Sequence, residues 1–325
     1  MNILKCISII VLVVIFSSCK ENKQLTKNND EIRIQLSEYK GKLGAGFIRR
    51  INSFPSKYVR PRTIDIWMPS NYSEEKKYAV LYMHDGQMLF DAETTWNKQE
   101  WKVDEVLGSL IDEEKIKNTI VVAIWNHSDI RWSDYYPKKP FELLPATFKD
   151  SLVNLAKEKL GDKYIEFQSD NYLKFIVEEV KPFIDTNFSV ETNAENTFIS
   201  GSSMGGLISM YALCEYPTVF SGAACLSTHW IGMHPFDNNP IPESFFKYLE
   251  QNLPSSKTHN IYFDYGTNTL DEHYLPFQHR VDEVLKSKGY DESNSRNLKF
   301  ERHDHSENSW NQRFQIPVEF LLKKE

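Results

Sequence analysis

The stretch Thr197 to Gly206 reads TFISGSSMGG, and its reading decides the fold. TFIS is a short apolar run suited to a buried strand, and Gly206 to Tyr216 (GLISMYALCEY) is a helical pattern. Between them, Gly201-Ser202-Ser203-Met204-Gly205 forms G-x-S-x-G in the strand–turn–helix context where that pattern has a mechanical meaning. The central serine must sit on a sharp, strained turn, and the flanking glycines let strand and helix pack closely. Such a turn presents Ser203 Oγ beyond the carboxyl edge of the sheet. It also puts the Met204 N–H at a helix start, where it can donate to a developing oxyanion. Ser202 has the wrong flanking spacing for this role.

The same alternation runs outward in both directions. Arg62 to Met68 (RTIDIWM) alternates as a half-buried strand ended by Pro69. Ala79 to Met83 and Thr119 to Trp125 are continuous apolar runs, as central strands of a parallel sheet require. Gly222 to Leu226, Ile261 to Tyr265 and Leu298 to Arg302 continue the series. Helical patterns fall at Val103 to Leu110, Tyr172 to Asp185, Phe277 to Lys288 and Gln315 to Lys323. This order implies an α/β fold, a mostly parallel central sheet with helices on both faces, in a single domain. Tyr135 to Asp170 departs from it, with a helical pattern over Phe148 to Leu160. Insertions of this kind build the rim or lid of a site, or are surface excursions without a role.

A serine hydroxyl needs a base, and the base needs an orienting acid. In this topology both should follow the serine in chain order, each just past a later strand. Of the nine histidines, His303 and His305 follow the last expected strand. His305 opens a loop, whereas His303 is close enough to continue the strand, so His305 is the chosen base. In the loop after IYFDY, Asp271 is the chosen acid and Glu272 its rival. Asp264, inside the strand, reads as a buried structural carboxylate.

Composition narrows the function classes. The 325 residues carry 38 Lys+Arg against 45 Asp+Glu, a net charge of −7, with no long basic block. That argues against nucleic-acid partners, which need a basic footprint. Cys214 and Cys225 make no disulfide framework and no C-x-x-C site, so buried thiols are expected and no cofactor or metal is called for. At the start, one positive charge precedes an apolar run from Ile7 to Phe16, then Ser17, Ser18 and Cys19. The run is too short to span a bilayer, which takes roughly 20 residues, and it reads as an export signal. Cys19 after two small residues resembles a bacterial lipoprotein processing site. This implies a signal at 1–18, an acylated Cys19 with a polar tether at 19–30, and a catalytic domain over 31–325 held at the cell envelope by a lipid anchor. The plainer alternative is an ordinary signal peptide with Cys19 incidental.

VLYMHDGQMLFD (Val80 to Asp91), the GSSMGG turn, FDYGTNTLD (Phe263 to Asp271) and HSENSW (His305 to Trp310) together resemble the "Putative esterase" family of the α/β-hydrolase superfamily. That family includes siderophore esterases, esterase D-like enzymes and feruloyl or acetyl-xylan esterases. The resemblance covers Arg62 to Leu322 and implies the α/β-hydrolase fold. It further implies Ser203 as nucleophile, Asp271 as acid and His305 as general base. The second oxyanion donor would be the N–H of Gln87 or of its neighbour Gly86. Asn126, Arg131 and Tyr135 look like the segment that lies near the pocket mouth in relatives. His229 and Trp230, with Trp132 and Tyr136, should lie at the same sheet edge, where crossover folds bind ligands. The expected substrate is a small-molecule or glycan ester: sugar-linked, aryl or siderophore.

Three rivals remain at this level. His303-Asp304-His305 with His84-Asp85 could ligate a metal. A lipoprotein on this fold could bind without catalysing. The same triad could pass an acyl group to an alcohol instead of water.

Overall fold

Continuous apolar runs become the middle of the sheet, and polar-interrupted ones become its edges. A computed structural model describes residues 34–160 and 166–324. The expected export signal, Cys19 and the tether lie outside the described residues, as do 161–165 within the expected rim insertion. From Ile34 onward the chain forms one compact unit.

The strands are β1 (Ser37–Glu38), β2 (Phe47–Phe54), β3 (Arg62–Met68), β4 (Ala79–His84), β5 (Thr119–Ile124), β6 (Thr197–Ser202), β7 (Gly222–Leu226), β8 (Asn260–Tyr265) and β9 (Ser295–Lys299). They form one sheet in the order β1-β2-β3-β5-β4-β6-β7-β8-β9. From β5 to β9 every neighbour pair is parallel, while β1, β2 and β3 add an antiparallel flank. β4, β5, β6 and β7 are buried along their whole length, because helices cover both faces. Val80, Tyr82, Val122, Ile199 and Cys225 face one core layer; Leu81, Met83, Val121, Phe198 and Ala224 face the other. This is the period-2 alternation of a strand with two apolar sides. The helix Met204–Glu215 is buried all round except at Glu215, which suits its place between the sheet and its neighbours.

β4 runs outward to β5 on one side and to β6 on the other, so the strand order reverses between β4 and β6. Ligands in open α/β sheets bind at such a reversal, beyond the carboxyl ends of the strands. The loops after β4 and β6 carry HDGQ and GSSMGG.

Two features differ from the sequence reading. β9 spans Ser295–Lys299, not Leu298 to Arg302. Phe300 still donates its N–H to the Tyr265 carbonyl at 2.9 Å, but Arg302 turns left-handed at φ 66° and ends the extended run. The strand β2 (FIRRINSF) is not among the expected strands; it pairs antiparallel with β3, with a register shift between Ile51 and Phe54. Arg50 and Asp65 face each other across β2 and β3 and form a bidentate pair at 2.6 and 2.7 Å. Within the expected rim, Lys138–Glu142 and Ala146–Leu160 are helical.

Candidate active site

Ser203 has φ 58° and ψ −120°, a conformation that residues with a Cβ rarely adopt. Local packing enforces it. A Cβ on Gly201 would fall 2.9 Å from the Gly205 carbonyl carbon and oxygen, so strand and helix meet backbone to backbone. At Gly205 itself a Cβ would make only ordinary contacts, 3.5 Å from Asp85 Oδ2 and His84 Cβ. The tightness the sequence suggested on both sides of the serine therefore resides on the strand side. The Ser203 N–H donates to the Leu226 carbonyl at 2.9 Å, and the Ser203 carbonyl accepts from the His229 N–H at 3.2 Å. Ser203 is half-buried. Met204 opens the helix, so its N–H has no carbonyl one turn back to satisfy it.

Beyond β8 and β9, His305 Nδ1 lies 2.5 Å from Asp271 Oδ1. Asp271 is 1% exposed. Its Oδ2 accepts from Ser227 Oγ at 2.5 Å and from the Gly266 N–H at 2.6 Å. Burial raises the Asp271 carboxyl, but the His305 hydrogen bond and charge, Ser227 and the Gly266 N–H together hold it below the usual carboxylate range. Gly266 is required here: a Cβ would sit 2.2 Å from the His303 carbonyl oxygen, so a side chain would drive the acid's loop off the base's loop. Among the described residues no hydrogen bond joins Ser203 Oγ to His305 Nε2. Such links are often long before substrate binds.

On the other flank, the loop after β4 begins with Asp85 in a left-handed conformation (φ 56°) and continues into a short turn of helix, Gly86–Met88. Arg131 grips Asp85 with Nε at 2.8 Å and Nη2 at 2.6 Å, and Asn126 Nδ2 donates to the same carboxylate at 2.6 Å. The Asp85 N–H donates to Tyr135 Oη at 3.2 Å, and Gln87 Oε1 accepts from the Asn126 N–H at 3.1 Å. Burial raises the Asp85 carboxyl, but the adjacent Arg131 charge and its hydrogen bonds outweigh that and keep it low. Side-chain exposure is 27% for Arg131 and 13% for Asp85, so the pair is partly screened by solvent.

The residues expected at the pocket mouth separate into two groups. Asn126 and Arg131 are at the site but turned onto Asp85. Trp230 and Tyr135 are completely buried and offer a ligand no surface, which corrects the expectation for them. Trp230 sits among Phe245, Phe246 and Phe263 because the turn after β7 folds back under the helix Ile241–Asn252. His229 is buried, bonds Tyr274 Oη at 2.8 Å, and is pushed down to about 3 by burial, with the nearby His305 adding to the effect. Trp132 stays 40% exposed and leans on Tyr136 and Phe167.

The rival candidates have other surroundings. His303 Nδ1 lies 3.3 Å from the Ser309 carbonyl, away from Asp271, and Glu272 is exposed. Asp264 is fully buried and paired with Arg313 at 3.0 Å. His84 Nδ1 bonds Tyr172 Oη at 2.8 Å, and burial pushes its imidazole down to about 3. No group of three or more metal-ligating side chains converges among the described residues. Cys214 and Cys225 are free and buried, with thiols pushed up by burial. Sequence reading missed Ser227, which donates to Asp271, and Arg313 and Trp310, which donate to Ser227.

The family model described as "Putative esterase" matches residues 56–320. The uncharacterized protein YbbA of Bacillus subtilis (strain 168) is 22% identical over 241 residues, 71% of this chain and 80% of that one. An endo-1,4-beta-xylanase/feruloyl esterase of Xylanibacter ruminicola is 23% identical over 194 residues, 58% of this chain and 22% of the larger protein. Among solved structures, the ferulic acid esterase AmCE1/Fae1A of Anaeromyces mucronatus superposes with a TM-score of 0.57 at 18% identity, covering 89% of this chain and 99% of that one. An IroE-like serine hydrolase from Shewanella oneidensis gives a TM-score of 0.59 at 17% identity over 84% and 79%. At these identities the structural likeness speaks to the fold: it is the α/β-hydrolase arrangement of strands and helices.

Proposed function

The chain belongs to the "Putative esterase" family and is a carboxylic-ester hydrolase, and from that premise we propose that it works through Ser203, His305 and Asp271 by way of an acyl-enzyme. The observation that carries the reading is the pairing of His305 Nδ1 with an almost inaccessible Asp271 at 2.5 Å, on the same sheet edge as a serine at φ 58°.

Asp271 accepts the Nδ1 hydrogen, which leaves Nε2 as the basic nitrogen. His305 Nε2 takes the Ser203 proton as Oγ attacks the ester carbonyl. The new oxyanion is held by the Met204 N–H and by the N–H of Gln87 or Gly86. Asp85, clamped by Arg131 and Asn126, fixes that second loop. Asp271 stabilises the imidazolium, which then protonates the departing alcohol. Water, activated by His305, releases the acid from Ser203 and restores the site.

The substrate class is an aryl, sugar-linked or siderophore ester. The half-exposed Trp132 and the partly exposed Arg131 guanidinium at the rim support it, as do the ferulic acid and feruloyl esterases among the similar proteins. Ser203→Ala is expected to fold normally and to lose turnover of a short p-nitrophenyl ester and labelling by a fluorophosphonate. Retained turnover rules the nucleophile out. A panel of feruloyl, acetyl-xylan and catecholate-triester substrates, with an alcohol added as competing acceptor, identifies the ester and the acyl acceptor.

The export and anchoring reading is also part of the proposal. Incorporation of labelled fatty acid that is lost in Cys19→Ala supports it, and unchanged fractionation of that variant overturns it.

A further inference from the structure

The turn after β7 touches both sides of the proposed triad. Its Leu226 carbonyl holds the Ser203 N–H, and its His229 N–H holds the Ser203 carbonyl. Between them Ser227, fully buried and left-handed at φ 42°, sends its hydroxyl to Asp271. The same turn therefore grips the proposed nucleophile by its backbone and the proposed acid by a side chain.

The hydrogen-bond polarity of Ser227 leaves no freedom. Its Oγ lies 2.8 Å from Arg313 Nη2, 2.9 Å from Trp310 Nε1 and 2.5 Å from Asp271 Oδ2. Guanidinium and indole nitrogens only donate, so they occupy both lone pairs of the hydroxyl. Its one hydrogen must then go to Asp271. A proton placed on Asp271 Oδ2 would find no acceptor there, so the carboxylate is kept as an acceptor. Oδ2 is filled by Ser227 and Gly266, and Oδ1 faces His305, whose Nδ1 must donate. Arg313 is in turn fixed by two 3.0 Å bonds to Asp264, and the Ser227 N–H donates to the Asp264 carbonyl at 2.9 Å.

We propose that Ser227 is a positioning residue of the hydrolase: its hydroxyl, polarised in one direction by Arg313 and Trp310, fixes the proton arrangement of Asp271 and His305. The proposal rests on the Ser203–His305–Asp271 reading. It assigns to Ser227 no contact with substrate. Its work is to keep the Asp271 carboxylate rotated onto Nδ1 and to keep Nε2 free of hydrogen, while its turn holds Ser203 at the same edge.

The test compares Ser227→Ala and Ser227→Cys with the unmodified full chain on a p-nitrophenyl ester. Ser227→Ala should lower kcat about tenfold to a hundredfold, the range found when a hydrogen-bond partner behind a metal-ligating side chain is removed, with KM within about twofold. Ser227→Cys, which keeps a weak donor of similar shape, should fall between. A second readout is the low-field proton resonance of His305 Nδ1–H, identified by its loss in Asp271→Asn. It should move or broaden in Ser227→Ala, which a purely structural role would not require. An unchanged kcat per folded molecule with an unshifted resonance overturns the proposal, even where thermal stability drops. If Ser227→Ala does not fold, Ser227→Cys is read in its place by the same two criteria. An inactive Ser203→Ala beside an unaffected Ser227 variant sinks only this inference; an active Ser203→Ala sinks the triad itself.

Discussion

The two halves of the carboxyl edge are built differently. Past β7, β8 and β9, Asp271, Ser227, Asp264 and Arg313 are all at most 1% exposed and bonded to one another, with Arg313 Nη1 the one buried nitrogen of the four left without a partner. Past β4 and β5, Asp85 and Arg131 form an equally short pair, but both remain partly open and the adjoining Trp132 faces outward. The first half can hold a proton arrangement because no water competes for its donors. The second can fix a loop and still adapt to a ligand. Chemistry placed in the closed half and selectivity in the open half is the division these two environments support.

That comparison can be broken at several points. Ser203→Ala, which removes the atom both halves serve, should cost on the order of 10⁴–10⁶ in kcat, read on an activated ester. Asp271→Asn should cost about 10⁴, because it reverses the hydrogen bond that sets the His305 tautomer. Acid unfolding comes next, since each half buries one neutral histidine, His84 and His229, each held near pKa 3. Above the ordinary histidine pKa of about 6.5 neither state binds the proton. Below it the unfolded chain does and the fold does not, so stability falls by up to about 1.4 kcal/mol per pH unit per histidine until about pH 3. Urea titrations from pH 7 to pH 4 should show this slope, and His229→Gln should flatten it. An unchanged slope would mean that His229 is not buried neutral. The low Asp271 carboxyl acts in a separate window: its stabilisation is present above the carboxylate range and is lost only as pH falls through its depressed folded value.

The open half should give smaller effects. Arg131→Ala, which frees the Asp85 loop, is expected to lower kcat roughly tenfold to a hundredfold, less than losing an oxyanion donor outright. A loss as large as that of Asp271→Asn would erase the distinction between the halves. Trp132→Ala should change KM for an aryl ester a few-fold and leave kcat alone. If neither moves, the outward indole is not part of the substrate's path.

Sequence alone carried most of the strands well, since the flanking Arg62–Met68 and the central Gly222–Leu226 can be read from alternation and from β-branched or small apolar runs. It also pointed to Ser203, Asp271 and His305 as candidates, because each lies just past a strand in a fixed order, and the structure pairs the last two. It missed the helix Ile241–Asn252, although Ile241, Phe245, Tyr248 and Leu249 repeat at helical spacing, because Pro242 and the polar residues between them blur the pattern. It misjudged Trp230, since position after a strand does not tell whether a large side chain turns outward or under a helix. Ser227 was illegible for a deeper reason. Its partners lie 37 to 86 positions away along the chain, at Asp264, Asp271, Trp310 and Arg313, and an ordinary serine beside an ordinary threonine carries no mark of that.

The backbone of Ser203 has a last consequence. A conformation near φ 58° and ψ −120° is comfortable for glycine and costs other residues about 1–3 kcal/mol. Ser203→Gly should therefore yield a molecule that melts later and hydrolyses nothing. A screen that rewards endurance alone would find that exchange early, and only a screen that also demands product would refuse it.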